Sequence, residues 1–326
     1  MRREIGLVGA TPIAVKAVVT PARGHEDVRV RAVAASTADR AEAFRSAHGL
    51  LTAHGDYQAL VDDEKIDTVY VSLHNSAHAQ WAAAAARAGK HVVVEKPLCL
   101  GRRELHALRH AAEASGVHVV EAVITADHPW QEAVRGIIAS GELGELTGIE
   151  SHIAFALSER TGYRFRPELG GGALYDTASY WLDAVGGTVG LDGATASGHS
   201  DFDGPHGVDL TFGATLRWPS GLRARLRAAL TGPYRADHEF AFTAGRVRLR
   251  DVLRPAAGPF PLNLHLRRDD GSREVRSFPA GPYHDRQFAR ILRLLDTPPR
   301  VDAAAAERVA LVEDAYLDAV GKHLDP

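Results

Sequence analysis

The sequence predicts a doubly wound α/β domain of Rossmann type with a parallel sheet, followed by an α+β domain with a large, mostly antiparallel open sheet. Three observations carry this. Five short apolar strands alternate with helical segments over the first 122 residues. From about residue 147, longer and often alternating strands follow one another across turn residues. A helical pair, 283–295 and 302–323, closes the chain around the Pro298–Pro299 break.

The elements follow in order. "EIGLVG" is a short apolar strand, and "PIAVKAVV" is a helix opened by Pro12, a good first-turn residue. "VRVRAVA" (28–34) is the second strand, and "TADRAEAFRSAHG" a helix stopped by Gly49. "TVYVSL" (68–73) and "HVVVE" (91–95) are strands three and four, joined by the helix "SAHAQWAAAAARAG". "RRELHALRHAAEASG" is the last helix of the alternation, and "VHVVEA" (117–122) its fifth strand. The second region reads as strands in "GIESHIAFAL", "VDLTFGATLRW", "GLRARLRAAL", "HEFAFTAG" and "LNLHLRR". The expected division is 1–122 for the first domain and 123–326 for the second, with the C-terminal helix free to pack back on the first.

Composition excludes several function classes. The 326 residues carry a formal net charge of −3 and no long like-charge run, so neither nucleic acid nor an anionic membrane is an expected partner. Arg246 to Arg250 alternate with apolar residues and read as a solvated strand face. The single cysteine, Cys99, allows no internal disulfide and fits a reducing cytoplasm. The N-terminus meets Pro12 too soon for a signal peptide, and no stretch reaches the roughly 18 apolar residues of a membrane span.

Four stretches carry chemistry. In "GLVGATPIA", Gly9 suits the tight turn of a dinucleotide-binding G-x-G-x-x-G/A motif and Ala14 its third small position. Thr11 stands where the motif wants glycine; its hydroxyl could donate to a phosphate, whereas Pro12 removes one amide donor. An ordinary strand–turn–helix is the alternative. At the end of strand two, "AVAASTADR" lacks the acid that holds a ribose 2′-hydroxyl. Ser36, Thr37 and Arg40 could contact a 2′-phosphate, which favours NADP(H) over NAD(H), or Ser36 or Thr37 simply caps the next helix.

In "HVVVEKPLCL", Lys96 leaves the carboxyl end of a strand with Pro97 fixing its direction. Lysine is scarce here, at positions 16, 65, 90, 96 and 322 only, and a lysine in the crevice supplies a point charge with three donors. A Glu95–Lys96 surface pair is the alternative. In "RFRPELGGGALYDTASYWLDAVGG", three glycines permit a close backbone approach before a helix that sets Asp176 and Tyr180 on one face. They form a candidate proton-handling pair, or an acid beside the helix dipole and a half-buried phenol.

Together these segments resemble the Gfo/Idh/MocA family of NAD(P)-dependent oxidoreductases over nearly the whole chain. The resemblance rests on the first βα turn, "SLHNSAH" (72–78), "AGKHVVVEKPL" (88–98), "VVEAV" (119–123), "SGELGEL" (140–146) and "FRPELGGGALYDTASYWLD" (165–183). It implies cofactor contacts from Gly9, Thr11, Pro12, Ile13, Ser36, Thr37, Arg40, Leu73, His74, Asn75, His78, Glu95 and Lys96. The family's usual D-x-G-x-H reads Asp176-Thr177-Ala178-Ser179-Tyr180 here, so the proton-transferring role passes to Tyr180, as in a tyrosine-bearing subgroup. A neighbouring ammonium such as Lys96 would lower the phenol from its ordinary pKa of about 10.

The usual Thr-Pro-Asn is Leu73-His74-Asn75, so His74 joins the substrate candidates with Tyr163, Arg164, Arg166 and Trp181. The His pairs 74/78 and 106/110 lack the acids or thiols of a metal site, and none is expected. The resemblance implies a hydride-transfer enzyme, with Lys96, Tyr180 and Asp176 as the catalytic set. The substrate would be a small molecule, a keto sugar or small cyclic polyol or diol. Imine reduction on the same scaffold, or a catalytically silent binding protein, are the alternatives. The resemblance further implies a homodimer or homotetramer through the second-domain sheet.

Overall fold

A strand buried on both faces needs helices on both faces, and the order of elements supplies them. The computed structural model describes residues 2–324 apart from 158–160, 257 and 259. The chain divides into two units, Met1–Ile124 with His284–Val309, and Thr125–Tyr283 with Ala310–Pro326.

The first unit runs β1 (Arg3–Val8), α1 (Pro12–Ala14), α2 (Thr20–Ala22), β2 (Val28–Ala34), α3 (Ala38–His48), β3 (Thr52–His54), α4 (Tyr57–Val61), β4 (Thr68–Val71), α5 (His78–Arg87), β5 (His91–Glu95), α6 (Arg102–Ser115) and β6 (Val119–Ala122). The strands lie in the order β3-β2-β1-β4-β5-β6, each parallel to its neighbour. The winding reverses between β1 and β4, and that is where open parallel sheets bind ligands. The sheet has six strands against the five expected, because β3 is a three-residue edge with no apolar run. The expected "PIAVKAVV" helix is split by a π turn at Val15–Val19. Pro21 just beyond has no N–H to continue the α pattern.

The second unit runs α7 (Pro129–Ser140), β7 (Leu146–Ala154), α8 (Ala173–Val189), β8 (Thr195–His199), β9 (Thr211–Arg217), β10 (Arg223–Ala229), β11 (Arg235–Phe242), β12 (Gly245–Leu249), β13 (Leu262–Arg268) and β14 (Arg273–Phe278). The sheet order is β14-β13-β12-β11-β7-β10-β9-β8; β7 and β10 are parallel and every other pair antiparallel. Side chains alternate along it. Ala224, Leu226 and Ala228 are buried while Arg223, Arg225 and Arg227 are exposed. Val247 and Leu249 likewise alternate with Arg246 and Arg248. α7 was not foreseen; its Trp130 stacks on His238 of β11 at 5.8 Å between ring centroids.

Two closing helices follow, α9 (Tyr283–Leu295) and α10 (Ala303–Leu324). Their place in the first unit follows from the two-residue period of its strands. Val93 and Val120 turn to one face, where Phe288, Ile291 and Leu295 of α9 cover them. Val92, Val94 and Val119 turn to the other, where Ala305 and Val309 of α10 join α5 and α6. A buried ion pair fixes this arrangement. Arg308 Nε donates to Glu121 Oε2 at 2.9 Å, and Glu121 Oε1 accepts the Leu98 amide at 3.0 Å. Glu121 thus ties α10 to the loop that leaves β5.

Replacing Arg308 with Met leaves the Glu121 charge buried without its cation. We expect a loss of about 3–5 kcal/mol in unfolding free energy, read by urea denaturation. A loss under about 1 kcal/mol, the range of an exposed pair, would contradict a clamping role.

Candidate active site

In the first unit the turn after β1 fits a dinucleotide. Gly9 sits at φ 117°, and a Cβ there would lie 2.5 Å from the Ser72 carbonyl oxygen, so the backbone at the β1/β4 reversal is open only to glycine. The Ala10 and Ile13 amides have no hydrogen bond among the described residues. Free amides behind a glycine turn are the donors a pyrophosphate needs.

Thr11 caps α1, its Oγ1 accepting the Ala14 amide at 3.2 Å and pairing with Ser72 Oγ at 2.8 Å. Ser72 Oγ also reaches the Gly9 carbonyl at 3.4 Å. If Ser72 spends its proton on that carbonyl, the Thr11 proton goes to Ser72 and none is left for a phosphate. Pro12 occupies the first helical position.

At the end of β2, Ser36 Oγ accepts from Arg40 Nη1 at 3.0 Å, so the first turn of α3 returns an exposed guanidinium to the strand end. Thr37 caps that helix by accepting the Arg40 amide at 3.3 Å.

The loops after β4 and β5 are joined by His78. Its Nδ1 lies 2.8 Å from the Pro97 carbonyl and its Nε2 3.2 Å from the Leu73 carbonyl. The ring is buried at 1% exposure. Burial, the main influence, pushes its pKa down to about 4 against the pull of those carbonyls. A neutral ring carries one N–H, so it donates to one of these two carbonyls at a time while packed against the other. Asn75 is buried beside it, and half-buried His74 pairs with Ser76 Oγ at 3.1 Å, burial holding its pKa below the usual value.

Glu95 bonds the Tyr70 hydroxyl. Burial raises its carboxyl above the usual range, opposed by Tyr70 and by the charge of Lys96. Lys96 itself is half-buried, and its peptide bond to Pro97 is cis.

In the second unit the three glycines let the 163–166 turn lie against the start of α8. A Cβ on Gly171 would fall 2.6 Å from the Tyr163 carbonyl oxygen and 2.7 Å from that of Arg164. The Gly172 amide donates to the Arg164 carbonyl at 2.9 Å. This delivers Arg164 onto α8, where its Nε donates to Asp176 Oδ2 at 2.7 Å. Although burial opposes it, the Arg164 charge is held by Asp176, Tyr163 and Tyr180, and its pKa lies above the usual arginine value. Four foreseen residues thus meet: Tyr163, Arg164, Asp176 and Tyr180. Two do not join them. Arg166 is exposed and pairs with Glu168 at 2.6 Å, and Trp181 is 2% exposed, too buried to line an open pocket.

Reading the sequence missed Glu121, Tyr234 and Asp209. Tyr234 is electrostatically coupled to Tyr180, and burial, Asp251 and Asp237 push its pKa up to about 12. Asp209 stands at the N-terminus of α8 and accepts the Leu174 amide on Oδ2 at 2.8 Å. A lone acid inside an apolar strand, as in "VHVVEA" and "GVDLTF", is the signal that could have found Glu121 and Asp209.

Residues 3–123 match the family model for an oxidoreductase family with an NAD-binding Rossmann fold, and residues 131–248 that for the GFO/IDH/MocA C-terminal domain. The chain is 30% identical to D-xylose 1-dehydrogenase (NADP(+)) 2 of Haloferax volcanii, over 96% of each chain. It is also 30% identical to the dTDP-3,4-didehydro-2,6-dideoxy-alpha-D-glucose 3-reductase of Actinomadura kijaniata, over 89% of this chain and 85% of that one. The crystal structure of KijD10, a 3-ketoreductase from Actinomadura kijaniata in complex with NADP and TDP-benzene, superposes with a TM-score of 0.88 at 26% identity, covering 98% of each chain. With its nucleotide turn, its lysine after β5 and its glycine-led acid–tyrosine helix, the chain belongs to the GFO/IDH/MocA family of NAD(P)-dependent oxidoreductases.

Proposed function

We propose that the protein is an NADP(H)-dependent oxidoreductase that transfers hydride to or from a keto sugar or small cyclic polyol or diol, with Tyr180 as proton donor and Lys96 supplying positive charge. The observation that carries the reading is the group on α8. Asp176 holds the Arg164 guanidinium, and that charge acts on Tyr180 one helical turn away.

Gly9, the Ala10 and Ile13 amides and the Ser36–Arg40 pair would hold the dinucleotide, which supplies hydride at its nicotinamide when bound. Tyr180 gives its proton to the carbonyl oxygen of the substrate as that oxygen gains charge. The Lys96 ammonium stabilises the developing alkoxide. Arg164 offsets the negative charge left on the phenol oxygen, and buried Asp176 keeps the guanidinium in place. Asp176 is thereby a holder of Arg164.

The NADP preference rests on the strand end at β2, where Arg40 meets Ser36. The NADP named for the Haloferax dehydrogenase and for KijD10 supports the same choice. The small-molecule substrate follows the sugars named for the relatives. We further propose a cytoplasmic enzyme that assembles as a homodimer or homotetramer through the arginine-bearing face of the eight-stranded sheet.

Lys96→Met and Tyr180→Phe are each expected to lower kcat for NADPH-dependent reduction of a keto-sugar panel by about 10²- to 10⁴-fold with folding intact. Near-full turnover in both would overturn the assignment. Arg40→Ala is expected to weaken NADPH binding about tenfold or more, since a charge-assisted contact is lost, and to leave NADH binding unchanged. Equal weakening of both cofactors, in a fluorescence titration, would remove the 2′-phosphate argument.

A further inference from the structure

We infer that Asp209 is a positioning residue for the reaction: it fixes the start of α8 and thereby the aim of Asp176 and Tyr180. This rests on the proposed role of those two residues.

Asp209 enters from the segment before β9, 35 residues along the chain from Leu174 at the start of the helix. Its carboxylate Oδ2 accepts the Leu174 amide at 2.8 Å, and its backbone carbonyl accepts the Ala173 amide at 2.9 Å. Those are the first two amides of α8, groups the helix cannot satisfy internally. Gly172, just before the helix, has φ 112° and no side-chain cap. A Cβ on Gly172 would lie 1.9 Å from Asp209 Oδ1, so the missing side chain makes room for this carboxylate. The Asp176 amide donates to the Gly172 carbonyl at 3.2 Å, and the Gly172 amide binds the Arg164 carbonyl. Asp209 therefore sits at the junction of the glycine turn, the Arg164 turn and the first turn of α8. A shift there would rotate Asp176 and Tyr180 together.

The carboxyl is 1% exposed at the residue level, and no basic side chain among the described residues pairs with it. From α8 it meets the amides of Ala173 and Leu174; from α10 the titratable neighbour is Tyr316, whose ring lies tilted at 37° to that of Tyr175, 5.3 Å between centroids. Burial raises its pKa to about 7, with the backbone amides pulling the other way. Because the folded value lies above the ordinary 3.8, its contribution to stability is full below about pH 4 and is lost as pH rises through about 7.

The test compares Asp209→Asn, which keeps an acceptor oxygen but no charge, with Asp209→Ala, which keeps neither. In Asp209→Ala, kcat for keto-sugar reduction is expected to fall about 10- to 100-fold, as for a misplaced catalytic group. NADPH affinity should be unchanged and hydrogen exchange across residues 173–180 faster. Asp209→Asn should recover most of kcat, and a kcat limb near pH 7 present in the parent should disappear. An Asp209→Ala protein with parental kcat and only a lower melting temperature would overturn the proposal. So would an Asp209→Asn protein that keeps the parental limb. If the parent reduces no keto sugar, the functional reading fails by itself. Exchange across 173–180 then decides whether Asp209 holds α8, unchanged exchange in Asp209→Ala counting against it.

Discussion

Glu121 sets the geometry of the loop that carries Lys96 in the first unit. A carboxylate buried in the sixth strand of a parallel sheet has a large desolvation cost and survives only where charge and donors meet it. Here Arg308 provides the charge and the Leu98 amide a donor. Leu98 lies two residues beyond Lys96, so the same oxygen pair that binds α10 also fixes the loop carrying the lysine. His78 fixes that loop from its other side, reaching the Pro97 carbonyl from a helix that starts beside Leu73. The loops after β4 and β5 thus pack on the same buried ring.

The second unit solves a like problem with different parts. α8 must present a buried acid and a tyrosine, and its own N-terminus offers no capping side chain. Glycines 170–172 let the Arg164 turn approach, and Asp209 supplies the missing cap from a distant segment. The outcome is an acid whose partner is a guanidinium. Lysine and arginine differ in the way this arrangement uses them. A forked, always-charged guanidinium suits a fixed pair with a carboxylate, whereas an ammonium on a flexible stem suits contact with changing oxygen atoms.

Much of the fold was legible because both sheets announce themselves by period. The runs 28–34, 91–95 and 262–268 are strands at the residues read from the sequence. Glycines placed helix ends, as at Gly49 in left-handed geometry. Besides α7, the strands that were missed are short or weakly patterned. β3 is three residues long at a sheet edge, and β8 and β14 lack a strong apolar alternation. The candidate site residues that sequence reading could name, Gly9, Lys96, Asp176 and Tyr180, each stand in a motif. Its supports were not, since Glu121–Arg308 and Asp209–Leu174 join residues far apart in sequence. Thr11 shows the intermediate case. The departure from glycine was visible, but its use as a helix cap bonded to Ser72 depends on where β4 ends.

The proposed reaction moves hydride between a nicotinamide and a sugar-derived carbonyl. It is tested by a single-turnover reaction with NADPH deuterated at C4 and a panel of keto sugars and cyclic imines, the products analysed by mass spectrometry and NMR. Deuterium is expected at the new carbinol carbon of at least one keto sugar, in equimolar yield with NADP⁺. Tight NADPH binding with no deuterium transferred to any keto sugar, or transfer only to the carbon of an imine, would contradict it.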